Sequence, residues 1–270
     1  MLIPSIQNIG LLALAVFSTF GPVLGAYNIT RKLKPQGPLG VRLDHSLALS
    51  WPQPQDKHRN DIARNWLYST HLVFNKPVED SISGRQLWKI ARDAVDEMVV
   101  ERQRYGISEG AQPNALAILA WGNQIIISST QKGSPSFSYG YYHTEVLESL
   151  NICHKVWADV TQSKGEIKGH KGTGRCAEPM AAHLYYSLET IPLQNHNARI
   201  GTWVYVRDGD WTQIDPCGDP RKPNWGCNLF VKHQNLRVLD KTLEPDDYNL
   251  DEIAGGVALI DQIQLCSVLR

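Results

Sequence analysis

Gly174-Arg175-Cys176-Ala177-Glu178-Pro179-Met180-Ala181-Ala182-His183-Leu184 is the stretch from which the rest of the chain is read. A soft ligand stands two residues before a carboxylate. A proline follows at once, where the first turn of a helix has no N–H to lose. Met180, Ala181, Leu184 and Leu188 then recur at three- and four-residue spacing, which predicts a helix over 178–188. Farther on, Asp215-Pro216-Cys217 precedes a loop and a third cysteine, Cys227. Zinc favours tetrahedral sites of thiolate and imidazole, and a catalytic site keeps one position for water. Three cysteines fit that rule, and a carboxylate beside the water can move protons without binding the metal.

The elements around this stretch predict an α/β layer fold, with a mixed sheet and helices on both faces. Leu87, Ile90, Ala91, Ala94, Val95, Met98 and Val99 mark a helix over 83–105, with Ser83 as its N-cap and Gly106 as its stop. Ala115–Trp121 and Gln124–Ser129 are apolar, β-branched runs joined by Gly122-Asn123, a hairpin signal. A long insert follows at about 130–175. It holds a Gly-, Ser- and Tyr-rich part, a helical pattern from Val146 to Trp157, and a glycine- and lysine-rich loop before Cys176. Strands over 199–206 and 236–239 flank a short helix over 228–233. The segment 26–82, rich in proline at its start, reads as a partly irregular arm, with 66–73 as strand or short helix. The domain proper then begins near Ser83.

Cys176-Ala177-Glu178 and Pro216-Cys217 resemble the two motifs of the cytidine-deaminase superfamily: His or Cys, any residue, Glu, and then Pro-Cys with a second Cys nearby. The Cys-Ala-Glu form resembles the secreted toxin-type deaminases, including relatives in fungi. The order two strands, helix with Cys and Glu, strand, helix with Cys, strand is similar as well, and the resemblance spans roughly 114–240. It implies a three-layer deaminase-like sandwich, with Cys176, Cys217 and Cys227 on zinc and Glu178 as the proton shuttle. The expected reaction is hydrolytic loss of ammonia from a cytosine- or adenine-type base, in a nucleoside or a nucleic acid. One departure leaves an alternative open. The family has two residues between its last two cysteines, and here Gly218–Gly226 intervene. Either a loop has been inserted, or Cys217 and Cys227 form a disulfide on a non-catalytic binding or effector protein. Under the metal reading the other two of the five cysteines, Cys153 and Cys266, are expected to pair. A third reading makes Cys176 a nucleophile with His183 as its base.

Candidate substrate contacts are Asn123 at the strand turn, Tyr141 among the tyrosines 139–142, and His170 in the loop before Cys176. Lys164, Lys168, Lys171 and Arg175 form a candidate phosphate-facing patch. Lysine plus arginine equals aspartate plus glutamate at 27 each, so no global field draws a polyanion. The apolar run Ile9–Leu24, followed by small residues, predicts a signal peptide over 1–25 and a secreted chain that does not span a membrane once cut. Asn28-Ile29-Thr30 is an N-glycosylation acceptor.

Overall fold

The computed structural model describes residues 27–51, 64–161, 169–218 and 224–266. The expected signal peptide, Lys164 and Lys168 lie outside the described residues. Among the described residues no helix is long and apolar enough to cross a membrane.

The hairpin forms as the apolar pattern dictates. Strands β3 (Ala115–Trp121) and β4 (Gln124–Ser129) pair antiparallel with Ile118 opposite Ile127. They lie at the middle of an eight-stranded sheet. On the β4 side comes β2 (Tyr68–Phe74), antiparallel, with Thr70 opposite Ile127. Two short strands share the far side of β2: β1 (Arg42–Leu43) opposite Tyr68 and Ser69, and β8 (Val257–Asp261) opposite His71–Phe74. On the β3 side comes β5 (Arg199–Tyr205). Its far side is likewise shared by β6 (Trp211–Ile214), antiparallel, and β7 (Arg237–Val238), the one parallel pairing in the sheet.

Side chains alternate between the two faces of this sheet, and each face has its own core. Helix α3 (Gly84–Arg104) covers one. Its Leu87, Trp88, Ala91, Val95 and Met98 pack with Leu72, Leu116, Ile118, Ile125 and Ile127. The helix starts where the sequence predicts, because Ser83 and Gln86 form a reciprocal capping box. Gly201 lets it settle close on β5: a Cβ there would stand 2.8 Å from the Trp88 ring. The other face carries α5 (Glu145–Thr161), α6 (Ala177–Tyr186) and α7 (Cys227–His233). Leu150 and Trp157, then Ala181, Leu184 and Tyr185, then Phe230 and Val231 meet Leu119, Trp121, Ile126 and Ile200 there. Short helices α1 (His45–Ser50), α2 (Val78–Ser81) and α4 (Phe137–Gly140) complete the described regular structure along with three 3-10 turns. The α/β class with helices on both sheet faces thus holds, and the sheet is antiparallel but for one pair.

Two readings of the chain's organisation change. The segment 26–82 is not an arm. Its residues Tyr68–Phe74 are an interior strand, buried at six of seven positions, and Arg42–Leu43 extend the same sheet. The domain therefore starts well before Ser83. The insert at 130–175 holds α4 and α5, and its two ends are tied where the Gln131 N–H donates to the Arg175 carbonyl at 3.0 Å.

Candidate metal centre

Helix α6 begins under the sheet with Ala177 packed on Ala115 and Ala117 of β3. Cys176 is its N-cap, in extended backbone, and its side chain makes no capping bond. The sulfur is thereby left to face outward from the helix start. Glu178 and Pro179 occupy the first turn, where an acidic side chain favours the helix dipole and a proline costs no hydrogen bond. Helix α7 begins with Cys227, and the Cys217 carbonyl accepts the Asn228 N–H at 2.9 Å. Both helices thus present a cysteine from their N-terminal end into one place.

The nine residues between Cys217 and Cys227 do not separate them. Gly218 holds φ at +105°, and a Cβ there would lie 2.7 Å from the Gly226 nitrogen. A Cβ on Gly226 would lie 2.5 Å from the Cys217 carbonyl oxygen. Only glycines allow the two ends of the loop to meet so closely. The longer spacing between the two cysteines is therefore closed at its base, where Gly218 meets Gly226.

His170, Cys176, Cys217 and Cys227 form a group whose ligand atoms all lie within 4.8 Å of one another, close enough to hold a metal ion. Cys176 Sγ and Cys217 Sγ are 3.5 Å apart, and His170 Nε2 is 3.3 Å from Cys227 Sγ. Sulfurs around a tetrahedral zinc at 2.3 Å stand about 3.8 Å from each other, so the spacing fits. The donor set fits zinc chemically too, being soft and neutral or anionic. All five cysteines are free thiols.

The electrostatics of the group are lopsided. Hydrogen bonds from the Cys176 and Cys227 thiols, and from the Cys227 N–H, hold the Cys217 thiol far below its ordinary value. Cys176, as donor to Cys217, is pushed well up, and Cys227 is pushed up by burial first. Negative charge is thus favoured on Cys217 and disfavoured on the other two. A divalent cation would supply the charge needed to ionise the rest. The Glu178 carboxyl is 3% exposed, and burial, then the neighbouring Cys217 charge, raises it to about 7. Thr202 of β5 stands beside it.

The structure places the remaining expected residues as follows. Asn123 lies at the β3–β4 turn, beyond the end of β3 opposite Ala115 and Ala117, and its amide donates to the Phe74 carbonyl at 2.8 Å. That expectation is corrected: the side chain locks the turn and is remote from the cysteines. Tyr141 stacks on Phe137 and lines a cleft of about 920 Å³ whose walls include none of the four clustered residues, so it too is not at this centre. His170 is at the centre, but it is 2% exposed and both ring nitrogens are engaged. Cys153 belongs to the cluster under α5, whereas Cys266 packs against the Leu47 and Phe137 cluster, and the pair forms no bond. The alternative Cys217–Cys227 disulfide is not formed either. His183 is buried and bonded to Ser138 Oγ at 3.0 Å, while Cys176 Sγ partners Cys217. No nucleophile–base pair joins them. Asn28 is exposed, and its Oδ1 accepts the Thr30 hydroxyl at 2.7 Å. Arg175 is spent on the Thr173 hydroxyl and the Gly133 carbonyl rather than held for a phosphate. One residue that sequence reasoning passed over shapes the site, Thr202, beside Glu178; Trp225, expected from the sequence as core or pocket wall, meets the His170 ring edge to face at 5.0 Å.

No protein-family model, curated protein or solved structure matches the chain.

Proposed function

We propose that this protein is a zinc-dependent hydrolytic deaminase of a cytosine- or adenine-type base, carried by a free nucleoside or a nucleic acid, and exported through its N-terminal leader. The observation that carries this reading is the convergence of three cysteine sulfurs with one buried carboxylate: Cys176 and Glu178 from the start of α6, Cys227 from the start of α7, and Cys217 from the loop after β6. The β3–β4 hairpin ahead of α6, with α4 and α5 between, and the β5–β6 pair ahead of α7 and β7 support it in outline, and so does the close approach of Gly218 to Gly226 that brings Cys217 beside Cys227.

Cys176, Cys217 and Cys227 would hold the zinc. Bound there, zinc would lower the pKa of the water that completes its coordination and supply a nucleophile near neutral pH. The Glu178 carboxylate takes the proton of the attacking water and passes it to the ring nitrogen beside the amine-bearing carbon. It then delivers a proton to the leaving amine. A carbon–oxygen bond forms, the carbon–nitrogen bond breaks, and ammonia departs. Burial of Glu178 between α6 and β5 keeps bulk water from competing for that proton.

A second reading is favoured by one observation, the presence of His170 in the group. A Cys3His set with four protein ligands is the closed form of a structural zinc site, and such a site would not hydrolyse anything. Elemental analysis of the protein from residue 26 onward, with Cys176→Ala as control, measures the metal. Ammonia release from cytosine and adenine nucleosides, with Glu178→Gln as control, measures the chemistry. One zinc per chain, with ammonia release that Glu178→Gln lowers by about 10²-fold or more, supports the deaminase. Zinc without ammonia from any base selects the structural site, and no zinc removes both.

A further inference from the structure

His170 is held from four directions. The Gly172 N–H donates to its Nδ1 at 3.0 Å, and the Gly174 N–H donates to the same atom at 3.2 Å. Its backbone N–H lies beside the Tyr139 hydroxyl. Its ring sits edge to face with Trp225, and the Trp225 carbonyl accepts the Lys171 N–H at 2.8 Å. The side chain is buried, and with two N–H donors aimed at Nδ1 that atom carries no proton, so the ring is neutral.

A neutral imidazole carries one proton and one lone pair. Two backbone donors converge on Nδ1, so the lone pair must be there, and Nε2 must carry the proton. A histidine that ligates a metal through Nε2 shows the reverse: its Nδ1–H donates to a carbonyl, carboxylate or water. Here a carbonyl is absent and amides take its place. Nε2 is 3.3 Å from Cys227 Sγ, a distance suited to an N–H···S hydrogen bond.

We infer that His170 is not a fourth metal ligand but a positioning residue, whose Nε2–H donates to Cys227 Sγ. This rests on the zinc reading above. It has two consequences for that site. The fourth coordination position stays free, which a hydrolytic reaction needs. The hydrogen bond withdraws charge from one thiolate of three, which weakens its donation and leaves the metal a stronger acid. Gly172 belongs to the same device, since a Cβ there would stand 2.5 Å from Cys176 Sγ and 3.5 Å from the His170 ring. The loop 170–174 therefore fits around both a sulfur and an imidazole.

Long-range nitrogen–proton correlation NMR on the full mature chain, with labelled histidine, reads the tautomer directly, before and after zinc is added. The expected result is a protonated Nε2 and a bare Nδ1 at His170 in both states. A protonated Nδ1 in the metal-free protein, or loss of the Nε2 proton on loading, overturns the inference. X-ray absorption of the zinc-loaded protein gives a second check, with no imidazole scattering expected and its presence counting against us. His170→Ala should keep one metal per chain while shifting the sulfur-to-metal charge-transfer band of the cobalt-loaded protein and weakening affinity by about 10- to 100-fold. Loss of the metal altogether in that variant, with the fold intact by circular dichroism, also overturns it. Should the wild-type chain bind no zinc, the deaminase reading fails. The tautomer of the metal-free protein then decides the N–H···S bond by itself.

Discussion

A methyl group on Gly172 would press into Cys176 Sγ at 2.5 Å, far inside carbon–sulfur contact. Gly172→Ala should therefore move the sulfur or the loop, and zinc affinity in a chelator competition should fall by about 10- to 100-fold, the range for groups that orient ligands. Little change in global stability is expected, since residues 169–174 are a loop and not core. His183 makes a different single-residue prediction. Burial under α4 depresses its pKa to about 3, from about 6.5 in the unfolded chain. Below 6.5 the unfolded chain binds a proton that the folded protein refuses, so stability falls as pH falls, until about 3. The slope is at most about 1.4 kcal/mol per pH unit. Urea titrations at pH 7 and 5 should show it, and His183→Gln, which keeps a donor for Ser138, should flatten it. At this scale the sequence declared what is chemically loud. Three cysteines and Glu178 could be picked by type and order. The role of His170 could not, because it depends on two amides aimed at one nitrogen. Asn123 and Tyr141 were misplaced for a related reason: residue type suggested a ligand contact, while strand direction and ring stacking put them elsewhere.

Elements with strong periodicity were legible almost to the residue. The hairpin Ala115–Ser129 and helix Gly84–Arg104 follow directly from their apolar patterns. The capping box that starts α3 is worth about 1 kcal/mol, so Ser83→Ala should lower the unfolding free energy by about that amount in denaturant titration. Strand β2 hid in plain view. It is buried on both faces, so alternation is lost, and the buried polar residues Ser69, Thr70 and His71 break the apolar run that would mark a strand. Strands β1, β6 and β8 hid for the opposite reason, being too short or too exposed to carry a pattern, whereas β7 lies within the strand read over 236–239. The loop between the last two cysteines offers an element-scale test. Gly218 and Gly226 already touch, so deleting 219–223 should leave zinc stoichiometry unchanged by elemental analysis. A loss of zinc there would mean the excursion helps build the site.

For the molecule as a whole, the first 74 residues matter more than their composition suggests. Removing them takes away an interior strand and the β1 pairing, and leaves one side of β4 open. A chain starting at Asn75 should show no cooperative thermal transition by circular dichroism, whereas one starting at Tyr27 should unfold cooperatively. The way the sheet ends carries a further consequence. On each side the last full-length strand is bordered by two stubs laid end to end: β1 with β8, and β6 with β7. The longest of these is five residues. A foreign peptide seeking a template to extend would find only brief, offset landing places, because the ladder breaks and restarts along each margin. Interrupted margins of this kind disfavour self-association through the backbone.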